Sequence, residues 1–144
     1  MNPFADFPVR EYPEGTRTAD DAARAIGCEV GAIVKSLVFV VEGLGAVLAL
    51  TSGANRVDES ALGEHFGGAA RRAKPDEARD ATGYAIGGTP PFGHPAPIPA
   101  VYDPALLDYE EVWAAAGTPS TVFPIAPDRL LELTRASVID VTAQ

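Results

Sequence analysis

Ile33-Val34-Lys35-Ser36-Leu37-Val38-Phe39-Val40-Val41 is the stretch on which the fold turns. Seven large or β-branched apolar residues surround a single cation. Strand alternation puts Lys35, Leu37, Phe39 and Val41 on one face and Val34, Ser36, Val38 and Val40 on the other. Both faces are apolar, which predicts a central strand covered on both sides. Burying an ammonium without partners is costly, and the chain uses two lysines against nine arginines. A lysine in this wall therefore points to a site, although a strand-end lysine can also snorkel to water along its stem.

Working outward, Glu42-Gly43-Leu44-Gly45 predicts a hairpin and Ala46–Leu50 its antiparallel return. Upstream, Thr18 as N-cap, Asp20 and Asp21 in the first turn and Gly27 as a stop predict a helix over 18–27. Before it, residues 1–17 are punctuated by Pro3, Pro8 and Pro13 and read as an arm laid on the surface or a loose leader. Downstream, Asp58 caps a helix running to Phe66, and Pro75 opens another that Gly83 ends. Arg71-Arg72 mark a solvent-facing strand edge. Ile98–Tyr102 reads as an edge strand, because Pro99 cannot donate to a ladder. Glu111–Ala115 and Thr121–Ile125 form a hairpin across Gly117–Ser120, Pro127 starts a helix, and Ser137–Val141 closes the chain as a strand. Hairpins interrupted by short helices indicate an α+β domain whose mixed sheet is mostly antiparallel and strongly curved.

At 144 residues, 47% apolar and 22% charged, this is one folded domain. No apolar run reaches the roughly 18 residues of a membrane span. The first residues have neither a basic start nor an apolar h-region, so no signal peptide is expected and the location expected is cytoplasmic. Cys28, the single cysteine, excludes an internal disulfide and reads as a small buried apolar residue. His65 and His94 lack ligand spacing, so neither a metal nor another cofactor is expected. A net charge of −9 disfavours extended phosphate tracking, and hence DNA, yet permits a pocket for one end of an RNA.

There is no Gly-x-Ser-x-Gly elbow, His-Glu-x-x-His, P-loop or dinucleotide fingerprint. Asp20-Asp21 and Glu110-Glu111 read as capping or solvated groups. What remains is the cation of Lys35 and the backbone amides of two glycine loops, one of them Gly87-Gly88-Thr89-Pro90-Pro91-Phe92-Gly93-His94. Such a set can hold a reactive ester, with N–H groups of Gly87, Gly88 and Gly117 on the carbonyl oxygen and Lys35 on a polar or anionic part. Glycine allows that close approach because no Cβ intervenes.

Residues 18–23 (TADDAA), 33–39 (IVKSLVF) and 52–58 (SGANRVD) resemble the YbaK/prolyl-tRNA editing family of aminoacyl-tRNA deacylases. So do Thr82–Gly93, Ala116–Ser120 and Ala136–Thr142, in order along the chain. The resemblance implies a YbaK-like domain over 18–144 that acts in trans on mischarged tRNA. It would hydrolyse the ester between a wrong amino acid and the terminal adenosine, without metal, assisted by the substrate's ribose hydroxyl. The catalytic lysine of the family corresponds to Lys35 and its glycine loop to Gly87-Gly88. Ser36 matches the polar residue after the lysine, Phe92 and Gly93 belong to the loop block, and Gly117 to the next one. A further pocket residue falls near Ser120 or Thr121, where this chain offers hydroxyls. The implied partners are a tRNA acceptor end, of a proline tRNA in particular, and an aminoacyl-tRNA synthetase. The alternative is a non-catalytic module of the same fold that captures an aminoacyl or nucleotide group, or a synthetase.

Overall fold

The computed structural model describes residues 4–13, 15–16 and 18–143. Helices form where their caps foretell them. In α1 (Ala19–Ile26) the Thr18 hydroxyl accepts the Asp21 N–H at 3.1 Å, and Gly27 leaves the helix at φ 85°. In α2 (Glu59–Phe66) Asp58 Oδ1 accepts the N–H groups of Ser60 and Ala61. For α3 (Pro75–Thr82) the Glu77 carboxylate accepts the Lys74 N–H at 2.8 Å. The same carboxylate is clasped by both terminal nitrogens of Arg71, which together with that N–H hold its pKa down at about 2. A fourth helix, α4, spans Pro127–Thr134.

The strands form two sheets. Five line up in the order β4 (Ala70–Arg72), β2 (Val34–Val41), β3 (Gly45–Ser52), β5 (Ala100–Tyr102) and β8 (Ser137–Val138). Three form the smaller sheet, in the order β1 (Arg10–Glu11), β7 (Thr121–Ile125), β6 (Val112–Ala115). The expected hairpin is a full antiparallel ladder from Val34 opposite Ser52 to Val41 opposite Gly45. The β3–β5 and β5–β8 pairs are parallel and the other four antiparallel, so the fold is α+β with mixed, mostly antiparallel sheets. A parallel bridge between Ile33 and Trp113 joins the two sheets.

Burial follows the alternation of β2. Val34 and Val38 enter a core with Leu48, Leu50, Tyr102, Phe123 and Leu130. Phe39 and Val41 enter a second core with Val47, Ala49, Val101 and Leu62 of α2. Trp113 is buried with Ala22, Ala23 and Ile33, and Cys28 packs against that third cluster while only partly buried.

Three expectations need correction. Ile98–Tyr102 is not an edge: its paired part, Ala100–Tyr102, lies between β3 and β8, and Pro99 precedes it, using only its carbonyl to accept the Leu48 N–H. In its described part the leader is neither loose nor merely laid on the surface. Phe4 is 4% exposed and packs its ring at a tilt against Phe92 and Phe123, and Arg10-Glu11 pair with Val122 and Thr121. The closing strand ends at Val138, because Asp140 turns the chain by accepting the Thr142 N–H, and the Val141 carbonyl goes instead to the Asp58 N–H. Arg71-Arg72 do lie on an edge strand, β4. Among the described residues no helix is long and apolar enough to cross a membrane.

Candidate functional site

Lys35 leaves β2 on the face of Leu37 and Phe39, half-buried, and its Nζ donates to the Asn55 carbonyl in the loop after β3. That loop is held by one buried carboxylate. Asp103, 5% exposed, accepts the Ser52 N–H at 3.1 Å and the Asn55 Nδ2–H at 2.9 Å on Oδ2, and the Ala105 N–H at 2.9 Å on Oδ1. A chain of hydrogen bonds thus fixes the carbonyl that fixes the ammonium. Burial pushes the Lys35 pKa below its ordinary 10.5, and the cations of Arg72 and Arg56 push the same way against the pull of Asp103 and Asp20. Half-burial and the bond to a fixed loop carbonyl set Lys35 apart from a strand lysine whose ammonium lies wholly in water.

Beside it lies a cavity of about 400 Å³. One side is β2 itself, through Val34, Ser36 and Val38; the facing wall is Trp113 and Ala115 of β6 with Val122 of β7. The first turns of α1 close it through Ala19 and Ala22, and Ile86, Gly87 and Thr89 cover it. Lys35 and Arg72 supply the positive charge of the lining. An apolar chamber with a few polar groups has the composition of a small-molecule site. Ser36 Oγ is buried there with no hydrogen-bond partner among the described residues, a cost a folded chain seldom bears without use.

The glycines divide their labour. Ala85–Gly88 is a β-turn closed by the Gly88 N–H on the Ala85 carbonyl at 3.1 Å, with Gly87 third at φ 91°. Gly87 lines the cavity, and its N–H has no hydrogen-bond partner among the described residues. The Gly88 amide is spent inside the turn, so Gly88 does not supply the free donor expected of it. It is needed for space: a Cβ there would stand 2.8 Å from the Thr118 carbonyl carbon. Gly117, at φ 108°, would bring a Cβ to 3.0 Å from the Tyr84 ring. Gly88 and Gly117 therefore weld the two loops together behind the turn that presents Gly87.

The structure brings Lys35, Ser36 and Gly87 into one cavity and leaves the other expected residues off its lining. Phe92 packs against the rings of Phe4 and Phe7 at a tilt and against Phe123 edge to face, with centroids 5.3 to 5.8 Å apart. With Gly93 and His94 it borders a separate depression against Leu133–Arg135. His94 Nε2 bonds the Pro90 carbonyl at 2.8 Å, and burial lowers its pKa. Ser120 and Thr121 serve the hairpin turn: the Ser120 carbonyl accepts the Tyr12 N–H, and the hydroxyls of Thr118 and Thr121 bond each other at 2.7 Å. Asp103, Arg72, Thr89 and Trp113 escaped sequence reasoning. The acidic residue opening a turn at Asp103-Pro104 was the one available signal among them. Among the described residues no three His, Cys, Asp or Glu side chains gather in a way that could hold a metal ion.

Comparison with known proteins shows the family and the fold. The model of the aminoacyl-tRNA editing domain matches residues 13–133. The chain is 35% identical to the uncharacterised protein YwhH of Bacillus subtilis, over 92% of this chain and 85% of that one. It is 27% identical to EbsC of Enterococcus faecalis, a candidate Cys-tRNA(Pro)/Cys-tRNA(Cys) deacylase, over 95% and 87%. A crystal structure of a candidate trans-editing enzyme for prolyl-tRNA synthetase superposes with a TM-score of 0.91 at 52% identity, covering 99% of this chain and 90% of the other.

Proposed function

The chain belongs to the aminoacyl-tRNA editing domain family, and we propose that it is a trans-acting hydrolase that removes a wrong amino acid from the 3′ end of a tRNA, the proline tRNAs first. The observation that carries this reading is the cavity between the Lys35 strand and the Gly87 turn. It is apolar where a small side chain would lie and cationic where an RNA end would enter.

In this reading Lys35, held by Asn55 and Asp103, takes the anionic or polar part of the terminal nucleotide. Arg72 and Arg56 add positive charge around it, which lets a chain of net charge −9 accept one RNA end. The Gly87 N–H donates to the ester carbonyl and gains strength as its oxygen becomes an oxyanion. Water adds to the carbonyl carbon, the bond to the ribose oxygen breaks, and that oxygen leaves with a proton. No carboxylate or imidazole lines the cavity among the described residues. The ribose hydroxyl beside the ester is thus the base nearest the water. Selection by size suits the task, since binding alone separates side chains differing by a methylene by only about 1–3 kcal/mol.

The test is hydrolysis of alanyl, cysteinyl and seryl esters of a proline tRNA, beside the correctly charged prolyl ester. Cleavage of one or more mischarged esters with the prolyl ester spared is the expected result. Binding without cleavage of any would favour a capture module instead.

A further inference from the structure

One side of β2 is paired with β3 along its whole length, but the other is paired only at its ends. The parallel bridge between Ile33 and Trp113 closes it at the start. At the far end β4 pairs with Phe39–Val41, and the Ala73 N–H reaches the Val38 carbonyl at 3.0 Å. In an extended strand the N–H and C=O of a residue point to the same side, as do those of the residue two along. The Val38 carbonyl points to the β4 side, so the N–H and C=O of Ser36 point there too. On that side no ladder or bridge among the described residues includes Ser36, and Ser36, Val34 and Val38 all line the cavity. An open sheet edge inside a chamber is a template for added backbone. This opening is one residue long, too short for a peptide strand.

We propose that the main chain of Ser36 is the receptor for the aminoacyl group, which docks as a single residue antiparallel to β2. The inference rests on the editing function proposed above and assigns its substrate-reading element. An antiparallel hydrogen-bonded pair exchanges two bonds between facing residues. The substrate's α-amino group donates to the Ser36 carbonyl, and its ester carbonyl accepts the Ser36 N–H, beside the Gly87 donor. The antiparallel sense turns the amino end toward Val38, where Ala73 blocks the edge, and the ester oxygen toward Lys35 and the nucleotide. An L side chain then falls on the face of Ser36, into the cavity with Val34 and Val38. A D side chain would fall on the opposite face, that of Leu37. The orphan Ser36 hydroxyl lies at the same spot and gains a polar neighbour.

The experiment takes the mischarged L-aminoacyl ester of proline tRNA that the protein cleaves fastest, its D-enantiomer and its des-amino acyl analogue. Wild-type protein should cleave both analogues at least about tenfold more slowly, the worth of one lost hydrogen bond or a misplaced side chain. In Ser36→Pro the missing N–H belongs to the open edge, where proline is tolerated, so the ladder to β3 survives. It should lose far more activity than Ser36→Ala, which keeps that N–H, with circular dichroism confirming the fold of each. Cleavage of the L, D and des-amino esters within about twofold of one another overturns the inference and leaves the hydrolase reading standing. Cleavage of no ester at all removes both.

Discussion

The two halves of β2 share one apolar pattern and end in different trades. From Phe39 to Val41 the strand is paired on both sides, and Phe39 and Val41 are 2% and 1% exposed under α2. Between the Ile33–Trp113 bridge and the Val38 carbonyl that Ala73 takes, its open side faces a chamber, with a half-buried lysine and an orphan hydroxyl. The difference is made by where β4 stops. Three residues of edge strand cover one half, and their absence leaves the other half lining the chamber.

That comparison is open to attack by substitution, and the stability effects should fall in order. Phe39→Ala empties the closed half, where the Arg72 guanidinium also rests over the ring at 5.5 Å. About 3–5 kcal/mol should be lost in a urea titration. Asp103→Ala strands three N–H donors behind the open half and should cost about 2–3 kcal/mol, together with the Asn55 carbonyl that positions Lys35. Gly88→Ala forces a methyl into the Thr118 backbone and should cost about 1–3 kcal/mol. Gly87→Ala should cost about 1 kcal/mol from strain at its φ of 91°.

The smallest effect is a pH dependence. The folded pKa of Lys35 lies below its ordinary 10.5, so in the window between the two the unfolded chain binds more protons, and stability rises with pH there. Below that window the charged lysine is a constant burden. Melting temperatures of wild type and Lys35→Met should therefore converge as pH climbs toward 10.5. A constant gap would remove the claim that this ammonium is desolvated.

Much of the scaffold was legible because its signals are local. The β2–β3 hairpin follows from alternation and Glu42–Gly45, and α1 and α2 from side-chain caps a few residues from their targets. Lys35 stood out by residue type against its surroundings, and Gly87-Gly88 as a pair in a proline-stiffened loop. What stayed hidden depends on distance along the chain. Asp103 meets Asn55 and Ser52 from 48 and 51 residues away, and nothing local separates it from any turn-opening aspartate. Gly87 and Gly88 look alike in sequence, yet the Gly88 amide closes a turn while that of Gly87 has no partner among the described residues. Pro99 spoke of an edge only because its place one residue before β5 could not be seen. Phe92 belonged to a recognisable loop block, but the burial of Phe4 and Phe7 draws it into the core.

The most direct test of the central claim pairs ester hydrolysis with thermal melting for wild type and Lys35→Met on one mischarged proline tRNA. The open half of β2 as an active site predicts a loss of activity of at least about a hundredfold with a melting temperature unchanged or higher near neutral pH. Activity close to wild type, or a loss matched by unfolding, would contradict it.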